Sequence, residues 1–398
     1  MRKEITYLML IFLLAAGSAS GFLLLLPFIT KDLHLSLTQT GIIAGAFSLS
    51  RIFAVVPLTS LAPRLGSIPM LLIATLIYGL GFLSIGLSNF FLFFVIVFLL
   101  SGTTFSIFQP IVFGLSTRLS SDENRGRVIG FVTSGSDLGR IGIAGAISFL
   151  ATQFGFRVSS IIAAVTIIIF LILAYLKKPN IAEEKQIKET HLLKEAKTLS
   201  KNTFFLLTSV VLFFDTIASA TLFVYLPFLM FYRHISISLM PILITVFFIG
   251  SLTGKLYLGK LTDKFQNTVV FITAESLMAI FLIIIANVTS PILFAVISFF
   301  LGMLTKGTVP ASVTMASESV KDTGNFENAY AFNYVILSIA NTITPVVVGF
   351  IADHSNISIS FYFCALSALI ATIPAILFHK KRERKKMEEV LAFEKSTT

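Results

Sequence analysis

Twelve stretches of mostly apolar residues dominate this chain, near 5–29, 39–61, 67–87, 90–116, 128–152 and 156–176, then near 203–231, 239–259, 268–287, 291–316, 328–352 and 357–378. About 20 such residues span the ~30 Å of bilayer hydrocarbon as a helix, and a helix satisfies its own backbone polar groups where no water can. The pattern predicts an all-α membrane protein of twelve transmembrane helices. The 13% content of charged residues fits that reading, since soluble domains carry about 25%. Links between runs are short except for 177–202. The expected organisation is a six-helix bundle over 1–176, a linker over 177–202, a second six-helix bundle over 203–379 and a basic tail over 380–398.

The formal charge of +10 raises the question of nucleic acid, and its placement answers it. Lys and Arg concentrate at the extreme N-terminus, in 177–201 and in 380–395, each beside a long apolar run. Counted link by link, 23 lie on the side of the N-terminus and three (Lys31, Arg157, Arg233) on the other. Basic links mark the cytoplasmic face, so both termini are expected in the cytoplasm, with the chain in the inner (plasma) membrane. The first run is preceded by Arg2 and Lys3 and contains Ala15-Ala16-Gly17-Ser18-Ala19, which resembles a signal cleavage site. It continues through 23–26, too long for a signal h-region, and is expected to be retained. The linker mixes Lys and Glu with Ile187, Leu192, Leu193 and Leu199 and reads as an amphipathic helix on the membrane surface. The tail, with seven basic residues, is expected to contact anionic lipid.

The two halves match at a nearly constant offset of 200. Leu26-Pro27-Phe28 recurs as Leu226-Pro227-Phe228; Leu61 and Arg64 correspond to Leu261 and Lys264, Gly102 and Pro110 to Gly302 and Pro310, and Asp122 to Asp322. A duplication with six helices per unit implies two parallel bundles related by an axis along the membrane normal, the arrangement of carriers that rock two halves about a central site.

Gly259-Lys260-Leu261-Thr262-Asp263-Lys264 resembles the loop motif G-x-L-x-D-R-x-G-R of the major facilitator superfamily. Leu61, Arg64 and Gly66 fit a degenerate first copy, in which Pro63 replaces the acid. Arg125-Gly126-Arg127 and Gly155-Phe156-Arg157 are similar to elements of that superfamily's drug:proton antiporter and metabolite-exporting branch. Helix 4 departs from the branch pattern R-x-x-Q-G, with Phe98 and Ser101-Gly102 in its places, and Arg140 follows Gly139 where the branch has Pro. The resemblance implies alternating access, with Gly259, Asp263, Lys264 and Arg64 forming a cytoplasmic latch between the halves.

An ionisable group at the bilayer centre costs at least ~2.5–3.5 kcal/mol, so each one inside a run is a candidate for function. Asp137 and Arg140 are three residues apart and share a helical face. Gly135, Gly139, Gly142 and Ala146 form a small-residue stripe on the opposite face, expected to pack on a neighbouring helix. Asp215, with no basic residue one turn away, is the leading candidate for proton coupling, and Asp137 the second. Arg51, Arg140 and Lys306 are candidates for a substrate-binding or charge network, joined by the polar residues Gln109 and Asn341. Glu275 is expected to pair with a base as a structural element, and Lys255 to snorkel from a helix end. Three central cations against two central acids suggest an anionic or zwitterionic organic solute.

The chain has no P-loop G-x-x-x-x-G-K-[ST], no H-E-x-x-H and a single Cys364, so ATP drive, zincin chemistry, disulfides and multi-Cys metal sites are not expected. What remains is a non-enzymatic secondary transporter without cofactor, monomeric, with a small organic solute, protons and membrane lipid as partners and no nucleic acid. Proton-coupled export is the first expectation, drawn from the resemblance. Transport of an anionic metabolite such as a carboxylate-type siderophore is the alternative, and a non-transporting receptor or assembly factor is the alternative of another class.

Overall fold

The computed structural model describes residues 3–120, 125–179, 199, 201–220, 222–262, 264–320 and 326–397. The expected linker falls almost wholly outside them, as do Asp263 and the Asp122/Asp322 pair of the repeat. Among the described residues the chain is helical, without strands. Ten helical segments are long and apolar enough to span a membrane. One of them, Val128–Leu176, doubles back at Gly155, where φ is +79°. Leu37–Leu65 is a further apolar helix, which completes twelve crossings.

In order, the crossings are Lys3–Asp32 (crossing 1), Leu37–Leu65 (2), Ser67–Leu87 (3) and Phe91–Arg118 (4). Crossing 5 begins with Arg125–Gly139, passes through a π turn at Arg140–Ala144 and enters Gly145–Leu176, whose part beyond Gly155 is crossing 6. Crossing 7 consists of Thr203–Ser219 and Leu222–Tyr232. Met240–Thr262 (8), Asn267–Ile285 (9), Pro291–Ser319 (10), Phe326–His354 (11) and Ile357–Thr397 (12) complete the second half. Crossing 12 extends without a break into the basic tail, so residue 379 marks no change of backbone.

The duplication is geometric as well as sequential. The links after crossings 1 and 7 each turn on a histidine at positive φ, His34 at 52° and His234 at 58°. Gly102 lies against the Phe47 carbonyl and Gly302 against that of Phe247, so crossings 2 and 4 touch backbone to backbone as crossings 8 and 10 do. A side chain at either glycine would collide with that carbonyl. Without a hydrophobic drive between helices in lipid, such close contacts are what hold a bundle together. Ser159 Oγ donates to the Ile147 carbonyl at 2.7 Å and Ser360 Oγ to that of Val348 at 2.8 Å, joining each bundle's last two crossings.

The π turn corrects one expectation. Gly135 and Gly139 pack on crossing 1, against the carbonyls of Met9 and Leu13, as the stripe predicts. Gly142 meets nothing within 4 Å, and Ala146 is exposed. The extra residue of a π turn rotates everything beyond it out of the α-helical register, and the stripe ends there. Arg157, from the Gly-Phe-Arg motif, donates to the Ser88 carbonyl at 3.2 Å, bonds Asn89 and pairs with Asp32 at 3.5 Å, tying three links of the first bundle together.

Candidate functional site

The bundles meet along two seams, crossing 2 against 11 and crossing 5 against 8. The first is close over half its length: Gly41 lies against the Pro345 carbonyl, Gly45 against that of Thr342 and Gly349 against that of Leu37. Tyr225 Oη reaches the carbonyls of Pro345 at 2.6 Å and Leu37 at 3.1 Å. Asp353 accepts from the backbone N–H groups of Leu37 at 2.9 Å and Thr38 at 2.7 Å, and from the Thr38 hydroxyl at 2.6 Å. Together these close the seam at the face opposite the termini.

Midway along the bundles the seams separate around a cavity of about 150 Å³. Its wall draws on both halves and carries Arg51, Arg140, Lys306, Asn341 and Thr305, with Ser20, Ser48, Ser219 and Ser251 among apolar residues such as Phe47, Phe105 and Phe247. Leu23 and Phe223 also line it. Pro27 and Pro227, four residues further on, deprive the carbonyls of those two residues of their helical hydrogen bonds, a consequence of the repeat that falls on the cavity in both halves.

Arg51 lies between the rings of Phe105 and Tyr334, at 5.5 and 5.1 Å from their centroids, and donates through Nε and Nη2 to the Tyr334 hydroxyl at 3.0 and 2.6 Å. Those contacts orient the guanidinium without neutralising it. Arg140 Nη1 pairs with Asp137 at 3.2 Å. Lys255 Nζ donates to both oxygens of the same carboxylate at 2.7 Å, crossing the seam between the bundles. Lys255 therefore does not snorkel: it is an inter-bundle ion-pair partner. Among the described residues, Asp137 is thus bonded to two cations, Arg140 and Lys255, while Arg51, Arg140 and Lys306 line the cavity.

The sequence-predicted residues are not all brought together. Arg51, Arg140, Lys306 and Asn341 share the cavity wall, with Asp137 bonded to one of them. Gln109 is exposed, one turn beyond Phe105 on the same face of crossing 4. Gly259 packs on Pro310, with 3.7 Å between its would-be Cβ and the proline ring, while Arg64 and Lys264 are exposed near the ends of crossings 2 and 8. Asp215 is buried inside the second bundle, 7% exposed, and accepts from Thr308 Oγ1 at 3.4 Å. Lys306, two residues before Thr308, is the cation that acts on it electrostatically.

Glu275 corrects another expectation. It is wholly buried, neither of its oxygens finds a donor among the described residues, and its carboxyl interacts with that of Asp215 rather than with a base. Two facing carboxyls satisfy each other only when a proton lies between them, because an ionised carboxylate has nothing to donate. Glu275, Lys255, Tyr334 and Asp353 are the residues whose partnerships sequence reasoning missed. The apolar runs do reveal the first two as charges within the membrane. The partners come from other helices, and only the packing supplies them.

Two repeated helical bundles closed around a polar cavity, with an ion pair across one seam, are the arrangement of a membrane carrier. The model of the Major Facilitator Superfamily matches residues 8–229 and 208–397, and the chain belongs to that family. It is a secondary transporter and not an enzyme. Similar proteins include a hexuronate transporter of Bacillus subtilis, 24% identical with 93% of each chain covered. An uncharacterised MFS-type transporter of Methanocaldococcus jannaschii is also 24% identical, over 85% of this chain and 88% of its own. Among solved structures, an inward-facing, occupied bacterial homologue of the human lysosomal transporter Spinster superposes with a TM-score of 0.78 at 14% identity, covering 94% of this chain and 96% of that one. The nucleoside transporter NupG, in a mutant form, superposes with a TM-score of 0.77 at 13% identity, covering 95% and 100%. These likenesses extend across both bundles and concern the fold.

Proposed function

We propose that the protein carries a small organic anion, of the carboxylate class, in exchange or in company with protons. One observation carries this reading: Arg51, Arg140 and Lys306 converge on one cavity, and the only carboxylate bonded to any of them, among the described residues, is Asp137. A cavity with that charge excess repels cations and holds a carboxylate through charge-assisted hydrogen bonds, most strongly where an arginine presents two parallel donors. The hexuronate carried by the Bacillus relative is a solute of that chemical kind. A lipophilic-cation pump would need the opposite balance.

The Asp215–Glu275 pair supports proton coupling. It is buried, its two carboxyls can bond each other only through a shared proton, and it lies close enough to Lys306 for charge to be felt between them. An anion neutralising Lys306 would alter the field at the pair, which is a route from substrate to proton. The direction of net transport follows from whether proton and anion move together or in opposite senses. The orientation that fits the excess of Lys and Arg on the termini side places both termini in the cytoplasm and the chain in the inner membrane.

The test is flux into proteoliposomes, with and without a pH gradient, for matched carboxylate, neutral and cationic solutes. The expected result is gradient-dependent movement of a carboxylate, weakened about tenfold or more in Lys306→Gln. Movement of cations alone would overturn the reading.

A further inference from the structure

A second cavity, of about 670 Å³, lies between the start of crossing 7 and the extension of crossing 12, far from the central site in the fold. One wall is apolar, from Phe204, Leu207 and Leu377; the other is basic, from Lys380, Lys381 and Arg384. The apolar residues belong to the two membrane-spanning helices, and the basic ones begin where crossing 12 leaves its apolar stretch. We propose that this cleft is a binding site for an anionic phospholipid, with an acyl chain against Phe204 and Leu207 and the phosphate between Lys380, Lys381 and Arg384.

Three observations carry this beyond a generic basic tail. The extension is a helix continuous with crossing 12 and is docked at two points: His379 Nδ1 shares a hydrogen bond with Thr268 Oγ1 at 2.8 Å, and Arg382 pairs with Glu318 at 2.9 Å. Those contacts use the side of the helix that faces crossings 9 and 10, and they hold the remaining cations over the cleft. Lys381 Nζ lies 5.1 Å from the centroid of the Phe204 ring, and Phe204 stacks edge-on against Phe378, so the basic and apolar walls are in contact at one corner. The sole acid in the lining, Glu388, pairs with Arg384 at 3.2 Å, with both side chains largely in solvent. An exposed pair of this kind is worth little and yields readily to a phosphate. Finally, a cleft with one greasy wall and one cationic wall at the membrane–water boundary matches a diacyl lipid with a charged head and matches a free anion poorly.

The experiment uses the full-length protein in mild detergent, titrated with phosphatidylglycerol, with phosphatidylcholine of the same acyl chains, and with inorganic phosphate. Retained lipid is read by native mass spectrometry and stability by the thermal midpoint. Phosphatidylglycerol adducts that exceed phosphatidylcholine adducts, and that fall about tenfold or more in a Lys380→Gln/Lys381→Gln/Arg384→Gln variant, are the expected result. A Lys177→Gln/Lys178→Gln variant, which removes charge at the corresponding end of the first bundle, should retain them. Unchanged melting of the lipid-free triple variant shows that its fold is kept. Equal retention of the two lipids, equal loss in both variants or stabilisation by phosphate alone would each overturn the proposal. So would the absence of any phosphatidylglycerol adduct.

Discussion

Asp353 caps crossing 2 from the far end of crossing 11, accepting the Thr38 N–H at 2.7 Å and the Thr38 hydroxyl at 2.6 Å. The first N–H groups of a helix have no internal partners and carry partial positive charge, so a carboxylate there is favourable. Here the cap is supplied by the opposite bundle. The bond that completes crossing 2 thus also joins the two bundles, and a cap donated across a seam must break in any state in which that seam opens.

The first prediction follows from this cap. Asp353→Asn keeps the size of the side chain and loses its charge, and should shift the balance toward the open seam by about 1 kcal/mol, near fivefold. Spin labels at Lys31 and Ser355, in a Cys364→Ala background, should report a larger population at long distance. An unchanged distribution would show that Gly41, Gly45 and Tyr225 hold the seam without help.

The second seam is held by charge. Removing one partner of a mostly buried pair strands the other, and the cost exceeds what the pair contributes. Lys255→Met should destabilise the protein by about 1–3 kcal/mol in thermal unfolding, since Arg140 alone remains to Asp137. The exchanged pair Asp137→Lys/Lys255→Asp should recover less than a plain swap would give, because Arg140 then stands beside a new cation.

Asp215 and Glu275 make the proton question specific. If they share one proton, Glu275→Gln leaves a donor and an acceptor facing each other and should preserve folding while weakening the pH dependence of flux. Asp215→Asn should abolish that dependence if coupling runs through Asp215, the carboxyl on which Lys306 acts. Proteoliposome flux across a range of external pH separates the two. Retention of full pH dependence in both variants would remove the pair from coupling.

The sequence reveals much of this architecture and little of its wiring. Apolar length announces the crossings, and the offset between Leu26-Pro27-Phe28 and Leu226-Pro227-Phe228 announces the repeat that His34 and His234 then realise in backbone geometry. That Arg51, Arg140, Asp215 and Lys306 lie within the membrane-spanning helices was also legible, since charges stand out in apolar runs; that Asp215 lies inside the second bundle and not on the cavity wall was not. The partners were not. Lys255 reaches Asp137 across 118 positions and Tyr334 reaches Arg51 across 283. Pairings over such distances are decided by which helices adjoin, and helical periodicity does not encode that. The π turn at Arg140–Ala144 was invisible for another reason: it changes the hydrogen-bond pattern without requiring a proline or a change in composition.

The repeat also yields a prediction about packing that is independent of any substrate. Gly102 and Gly302 occupy the same place in the two halves, each against a carbonyl of the neighbouring helix. A methyl group added at either must push two helices apart, and overpacking of this sort costs about 1–3 kcal/mol. Gly102→Ala and Gly302→Ala should therefore lower the thermal midpoint by similar amounts, whereas Gly142→Ala, with nothing within 4 Å of the added carbon, should not lower it. The added methyl at Gly142 also favours helix over coil, so a small rise is expected there. Equal losses at all three positions would mean that glycine serves these crossings through backbone freedom rather than through close approach.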